Sequence, residues 1–200
     1  MSRDNLLKGR VSLAYHAYHV TICTHNRALL FADFTDGRLV VAEMRKLHEE
    51  GIVNSLAWVI MPDHLHWLFQ LGEKMTLSEA MKHFKARSAQ ALNRHHGQHG
   101  VIWQKGYYDH ALRCEEDIQA VARYIVANPL RAGLVKKMGE YPLWDAIWIR
   151  GEWANGRINS PLRDYLPVLR PLGHVFFLAA HIMIRRFVVA GHWVLSLNCG

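Results

Sequence analysis

The chain has 200 residues, half of them hydrophobic and 20% charged, with a formal net charge of +7. That length allows one domain with an extension, and that balance supports a buried core, which excludes a disordered or low-complexity chain. The positive charge leans towards polyanionic partners, nucleic acid before an anionic membrane surface. Cys23, Cys114 and Cys199 are an odd set without CxxC spacing, so they read as reduced thiols and not as a disulfide framework or a zinc knuckle. Met1-Ser2-Arg3-Asp4-Asn5 opens no apolar run of signal-peptide type, and a cytoplasmic protein is the expectation.

The β-branched and aromatic run Tyr18-His19-Val20-Thr21-Ile22-Cys23-Thr24 predicts a first strand. After Asp36-Gly37, the residues Leu39, Val40, Glu43, Met44 and Leu47 follow helical spacing, and Gly51 closes that helix. Val53 to Ile60 predicts a second strand, Met61-Pro62-Asp63 a turn and His64 to Leu71 a third strand, together an antiparallel hairpin. From Thr76 the positions Leu77, Ala80, Met81, Phe84, Ser88, Ala91 and Leu92 recur at helical intervals. Lys82, Lys85, Arg87 and Arg94 lie off that stripe. Such a basic face serves either as plain solvated surface or as a track for backbone phosphates.

A polar loop from His95 to Gly100 leads to two extended segments, Val101-Ile102-Trp103-Gln104 and Tyr107 to Arg113. Glu115, Glu116 and Asp117 put negative charge at the start of the next helix, where the macrodipole favours it. Ile118, Val121 and Ile125 form its buried stripe and Pro129 its end. Beyond Trp144 the periodicity weakens. The last stretch, Val175 to Leu195, is apolar but broken by Arg185-Arg186 and His192. A membrane-spanning helix needs roughly 20 consecutive, mainly apolar residues. Residues 151–200 therefore read as a C-terminal extension of unknown role and little regular order, not as a membrane anchor.

Within Met61-Pro62-Asp63-His64-Leu65-His66, two imidazoles stand one residue apart in a strand-like run. Strand side chains alternate faces, so His64 and His66 point the same way and could chelate one divalent cation. A chance His-x-His is the other reading in a chain with 14 histidines. Further on, Tyr124 and Asn128 lie four apart and share a helix face, distinct from the one Val121 and Ile125 bury. A phenol is a usable nucleophile and an amide oxygen a usable ligand for a hard cation. Equally, Tyr124 reads as a half-buried core aromatic and Asn128 as a helix end.

Three motifs occur together: Met61 to His66, Gly106-Tyr107-Tyr108-Asp109-His110-Ala111-Leu112-Arg113, and Tyr124-Ile125-Val126-Ala127-Asn128-Pro129-Leu130-Arg131-Ala132-Gly133-Leu134-Val135. In this order and combination they resemble the REP-associated tyrosine transposases, relatives of the single-tyrosine HUH transposases, over roughly Tyr15 to Trp148. The resemblance implies a ferredoxin-like α+β domain over residues 1–150, an antiparallel sheet with helices packed mainly on one face. It also implies cleavage and rejoining of single-stranded or hairpin DNA by a monomer or homodimer. Through it, His64 and His66 would hold Mg2+ or Mn2+, Tyr124 would be the nucleophile, and Asn128 would complete the cation site. Lys82, Lys85, Arg87, Arg94, Arg113, Arg123 and Arg131 are candidates for phosphate contacts, and Trp103, Tyr107 and Tyr108 for stacking on unpaired bases, although an aromatic in a strand is more often part of the core. Two rival readings stand beside it: a catalytically silent DNA-binding protein of the same fold, and a His-rich metal-binding protein.

Overall fold

The structure, a computed structural model, describes residues 12–113 and 117–148. The expectations for Cys114, Glu115, Glu116, Cys199 and the 151–200 extension lie outside the described residues. Strands β1 (Ala17–Cys23), β2 (Val53–Met61), β3 (His64–Leu71), β4 (Tyr108–Ala111) and β5 (Trp144–Ala146) form one antiparallel sheet in the order β4-β1-β3-β2-β5. Helix α1 (Phe34–Glu49) connects β1 to β2, and α2 (Leu77–His95) connects β3 to β4. Each β-α-β unit straddles one strand of the other, which is the ferredoxin-like split arrangement.

Local chemistry places these elements. Asp33 caps α1 by accepting from Thr35 N, and Gly51 ends it at φ 67°, a left-handed backbone that glycine adopts without strain. Thr76 and Glu79 form a reciprocal capping box at the start of α2. Pro62 and Asp63 alone connect β2 to β3, so Met61 pairs with His64 and the hairpin register is fixed from its tip.

The sheet has two unlike faces. On one, Tyr18, Val20 and Ile22 of β1 with Leu65, Trp67 and Phe69 of β3 pack against Val40, Met44 and Leu47 of α1 and Leu77, Met81 and Phe84 of α2. This is the larger core, and both long helices lie on it. The shorter helix α3 (Ile118–Val126) lies on the opposite face, with Val121, Ala122, Ile125 and Val126 against Ala57, Val59, Met61, Leu68 and Ala146. Among the described residues no helix is long and apolar enough to cross a membrane.

One expectation at the helix level is corrected. Pro129 does not terminate α3, which ends at Val126 with Ala127 as its C-cap; it sits in the first turn of a short helix α4 (Asn128–Arg131). A first-turn proline lacks only an N–H that has no helical partner there, so it starts this turn at no cost.

Phe84 is fully buried between Trp67 and Trp103, with ring centroids 5.2 and 5.9 Å away. Phe84→Ala should cost about 3–5 kcal/mol, read as a lower urea midpoint. A loss under ~1 kcal/mol would contradict this packing.

Candidate active site

The alternation of β3 sends Leu65 and Trp67 into the larger core and therefore His64 and His66 to the α3 face. Their rings meet edge to face, with Nε2 3.1 Å from Nε2. His64 Nδ1 lies 2.5 Å from Asp63 Oδ1. Burial alone would raise the Asp63 carboxyl, but the His64 bond and the charges of His64 and Arg27 outweigh it and hold it below the usual range. An ionised carboxylate only accepts, so a proton sits on His64 Nδ1, and in the neutral ring the lone pair is on Nε2, facing His66. His66 Nδ1 lies 3.0 Å from Thr21 Oγ1 and 3.2 Å from His19 Nε2. Burial first, then the charges of His64, His19, Arg131 and Arg27, push the His66 pKa well below its ordinary value, so its ring is neutral.

A neutral His66 has two tautomers, and both fit. With its proton on Nε2 it donates to His64; with its proton on Nδ1 it donates to Thr21 or His19 and turns a second lone pair on the first. Two such lone pairs repel unless a cation lies between them. A gap of 3.1 Å suits imidazole bonds of about 2.0–2.1 Å to a first-row divalent ion. The residues therefore fit a cation held by His64 and His66. Among the described residues no group of three or more His, Cys, Asp or Glu side chains forms a complete metal cage.

Tyr124 and Asn128 stand on the same side of the sheet as the histidines, because α3 packs on that face through Val121 and Ile125. Arg131 gathers them. Its guanidinium lies 3.8 Å from the centre of the Tyr124 ring and donates to Tyr124 O at 2.8 Å and to Asn128 Oδ1 at 2.6 Å. The Asn128 amide donates to Ile125 O at 2.7 Å. In this arrangement the Asn128 oxygen accepts from a guanidinium and its nitrogen donates to the end of α3. The charge of Arg131 reaches His66, which ties the tyrosine cluster electrostatically to the histidine cluster.

A family profile described as "Transposase IS200 like" matches residues 12–128, more than half of the chain. The chain belongs to the IS200-like transposase family. The REP-associated tyrosine transposase of Escherichia coli is 31% identical over 88 residues, covering 43% of this chain and 50% of that one. The chain thus spans about half the length of that relative. An uncharacterized protein of Haemophilus influenzae is 23% identical over 150 residues, covering 56% of this chain and 79% of the other. Among solved structures, one described as a REP-associated tyrosine transposase bound to a REP hairpin matches with a TM-score of 0.58 at 23% identity, over 72% of this chain and 82% of that one. That likeness shows the shared fold.

In this member of the IS200-like transposase family the candidate DNA contacts separate by face. Tyr108 pairs with Thr21 across β1 and β4, so it shares the histidine face, and it is exposed. Arg123 and Arg131 belong to that side through α3 and α4, and Arg113 is exposed just beyond β4. Helix α2 lies on the other face, and its cations do not form one track. Arg87 bonds Glu43 and Glu50 of the α1 side at 2.7–2.9 Å, so its charge is already matched. Lys85 is half-buried and donates to Gln104 O and Gly106 O, fastening the segment before β4; only Lys82 and Arg94 stand exposed. Trp103 follows the core reading: it is buried against Phe31 and Phe84 with Nε1 on Ser88 Oγ and has no face free for a base. Tyr107 packs against the same core.

Sequence reasoning did not single out Thr21, His19 or Asp63 for the site. The signal was present, since His19 and Thr21 alternate with Tyr18, Val20 and Ile22 in an otherwise apolar strand. His19 is largely shielded from solvent; burial first, then the charge of His110, lowers its pKa to about 4. As pH falls from 6.5 to about 4, the unfolded chain takes up a proton that folded His19 refuses. The metal-free fold should therefore lose up to about 3 kcal/mol across that window from His19 alone. Urea unfolding with chelator at neutral pH and near the bottom of the window measures it, and His19→Gln should show a smaller drop. An equal drop in both chains would show that His19 protonates freely in the fold.

Proposed function

We propose that the chain is a DNA strand transferase acting on single-stranded or hairpin DNA, with Tyr124 as nucleophile. The observation that carries this reading is the placement of a tyrosine-bearing helix on the one sheet face where His64 and His66 converge. A divalent cation held by the two histidines, Mg2+ or Mn2+, would supply Lewis-acid polarisation of a phosphate oxygen at the scissile bond. The Tyr124 hydroxyl gives up its proton and bonds to phosphorus. The bond from phosphorus to the 3′ oxygen breaks, and that oxygen takes a proton, leaving a 5′-phosphotyrosine and a free 3′-hydroxyl. Because the phosphotyrosine conserves the phosphodiester bond energy, a 3′-hydroxyl can reverse the step and rejoin DNA. Stacked on the ring and bonded to the Tyr124 carbonyl, Arg131 restrains the nucleophile and offers a positive charge beside it. Tyr108 and Arg123 extend this face as contacts for unpaired bases and phosphates.

The solved relative carries a REP hairpin, and REP-type palindromes are our choice of substrate class. The buried, unpaired thiol of Cys23 fits a reducing cytoplasm. A second reading, a DNA-binding protein of this fold without chemistry, draws support from one feature: the hydrogen bond that withholds the Asn128 oxygen.

Incubation with hairpin DNA and Mn2+ or Mg2+ should give a protein–DNA adduct that survives denaturation. Tyr124→Phe should abolish the adduct with less than about threefold loss of hairpin affinity, since only the nucleophilic oxygen is removed. Hairpin binding without an adduct by the wild-type chain would favour the silent reading. An undiminished adduct in the Phe variant would move the nucleophile elsewhere.

A further inference from the structure

The segment between β1 and α1 grips the tip of the β2–β3 hairpin. Thr24 N donates to Asp63 O at 3.0 Å, Thr24 Oγ1 lies 2.9 Å from the same oxygen, and Phe31 N donates to Pro62 O at 2.9 Å. To reach round the tip, Asn26 and Arg27 both take left-handed backbone conformations, at φ 52° and 56°. Asparagine tolerates that region, whereas arginine adopts it only where its surroundings hold it there. The arginine so placed sets Nη1 3.2 Å from Asp63 Oδ2, while the other oxygen of the carboxylate faces His64 Nδ1. Nearly half of the Arg27 side chain remains in water, at 42% exposure, against 24% for Asp63.

We propose that Arg27 and Asp63 are a positioning pair for the cation site: Arg27 holds one carboxylate oxygen so that the other fixes the proton of His64 on Nδ1 and leaves Nε2 facing His66. This rests on the cation reading above. The two histidines are then held differently. His64 has a charged acceptor that admits one tautomer, and His66 has Thr21 and His19, which admit either. The pinned ring, in its neutral form, keeps its lone pair on Nε2, and the adaptable ring supplies the second when a cation arrives. An outer carboxylate on an imidazole ligand fixes ring orientation and raises ligand basicity, typically worth about 10–100-fold in metal affinity. The strained turn at Asn26 and Arg27 has a role in this scheme, since it carries the guanidinium to the far oxygen of Asp63.

The test uses the full chain with 15N-labelled histidine. Ring nitrogen shifts in metal-free protein report the His64 tautomer, and calorimetry reports Mn2+ affinity. Wild type should show His64 protonated on Nδ1. Asp63→Ala should populate the Nε2–H form and weaken Mn2+ binding about 10–100-fold. Asp63→Asn, which keeps an acceptor oxygen and suits a turn, should retain the tautomer and lose less affinity; Arg27→Gln should fall between wild type and Asp63→Ala. Unchanged tautomer and unchanged Mn2+ affinity in Asp63→Ala, or in Arg27→Gln should the alanine variant not fold, would overturn the positioning role. A wild-type chain that takes up no Mn2+ would instead overturn the cation reading on which that role depends.

Discussion

The register of β3 is the constraint on which the rest of the structure depends. Its odd positions, Leu65, Trp67, Phe69 and Leu71, are buried under the two long helices, and Trp67 is further fixed by donating its indole N–H to Ser55 across the hairpin. A slip of one residue would carry these side chains to the other face and the histidines into the core. Burying an aromatic side chain such as Trp67 stabilises by about 1.5–3 kcal/mol or more, so the hydrophobic term holds the histidine pair in place. The pair contributes no comparable stabilisation, and His66 is held neutral by its surroundings. Chemistry on one face is secured by packing on the other.

The α3 face joins two clusters of different character. In the histidine cluster the Asp63 carboxylate lies between the Arg27 guanidinium and the His64 ring. The tyrosine cluster is cationic, organised by one guanidinium that touches ring, carbonyl and amide oxygen at once. Arg131 loses part of its hydration there, and burial lowers its pKa from the ordinary arginine value. An anionic phosphate arriving between the clusters would meet a positive group already in place, with little reorganisation required.

The fold was largely legible in the sequence because its signals are local. Period-two apolar runs bounded by turn residues marked the hairpin, and the stripe from Leu77 to Leu92 marked α2, of which Leu77, Ala80, Met81, Phe84, Ser88 and Leu92 are buried. What the sequence hides is which partners the fold brings beside a residue, near or far along the chain. Arg87 reads as a free cation until Glu43 and Glu50 are brought beside it by α1. Trp103 reads either as core or as a stacking platform until Phe31 and Phe84 close over it. Asn128 sits on the anticipated helix face, yet Arg131, only three residues on, claims its oxygen once α4 turns after Ala127. Thr21 and His19 lie 45 and 47 residues from His66, a separation that no motif spacing bridges.

The most direct test of the central claim, that β3 presents two imidazole lone pairs to one divalent cation, is crystallographic. Crystals of the full chain soaked in Mn2+ should give an anomalous peak within bonding distance of Nε2 of both His64 and His66. Chelator treatment should erase that peak and leave Asp63, Thr21 and His19 in their present contacts. Mn2+ bound elsewhere in well-ordered crystals, with His64 and His66 still hydrogen-bonded to each other through their Nε2 atoms, would contradict it.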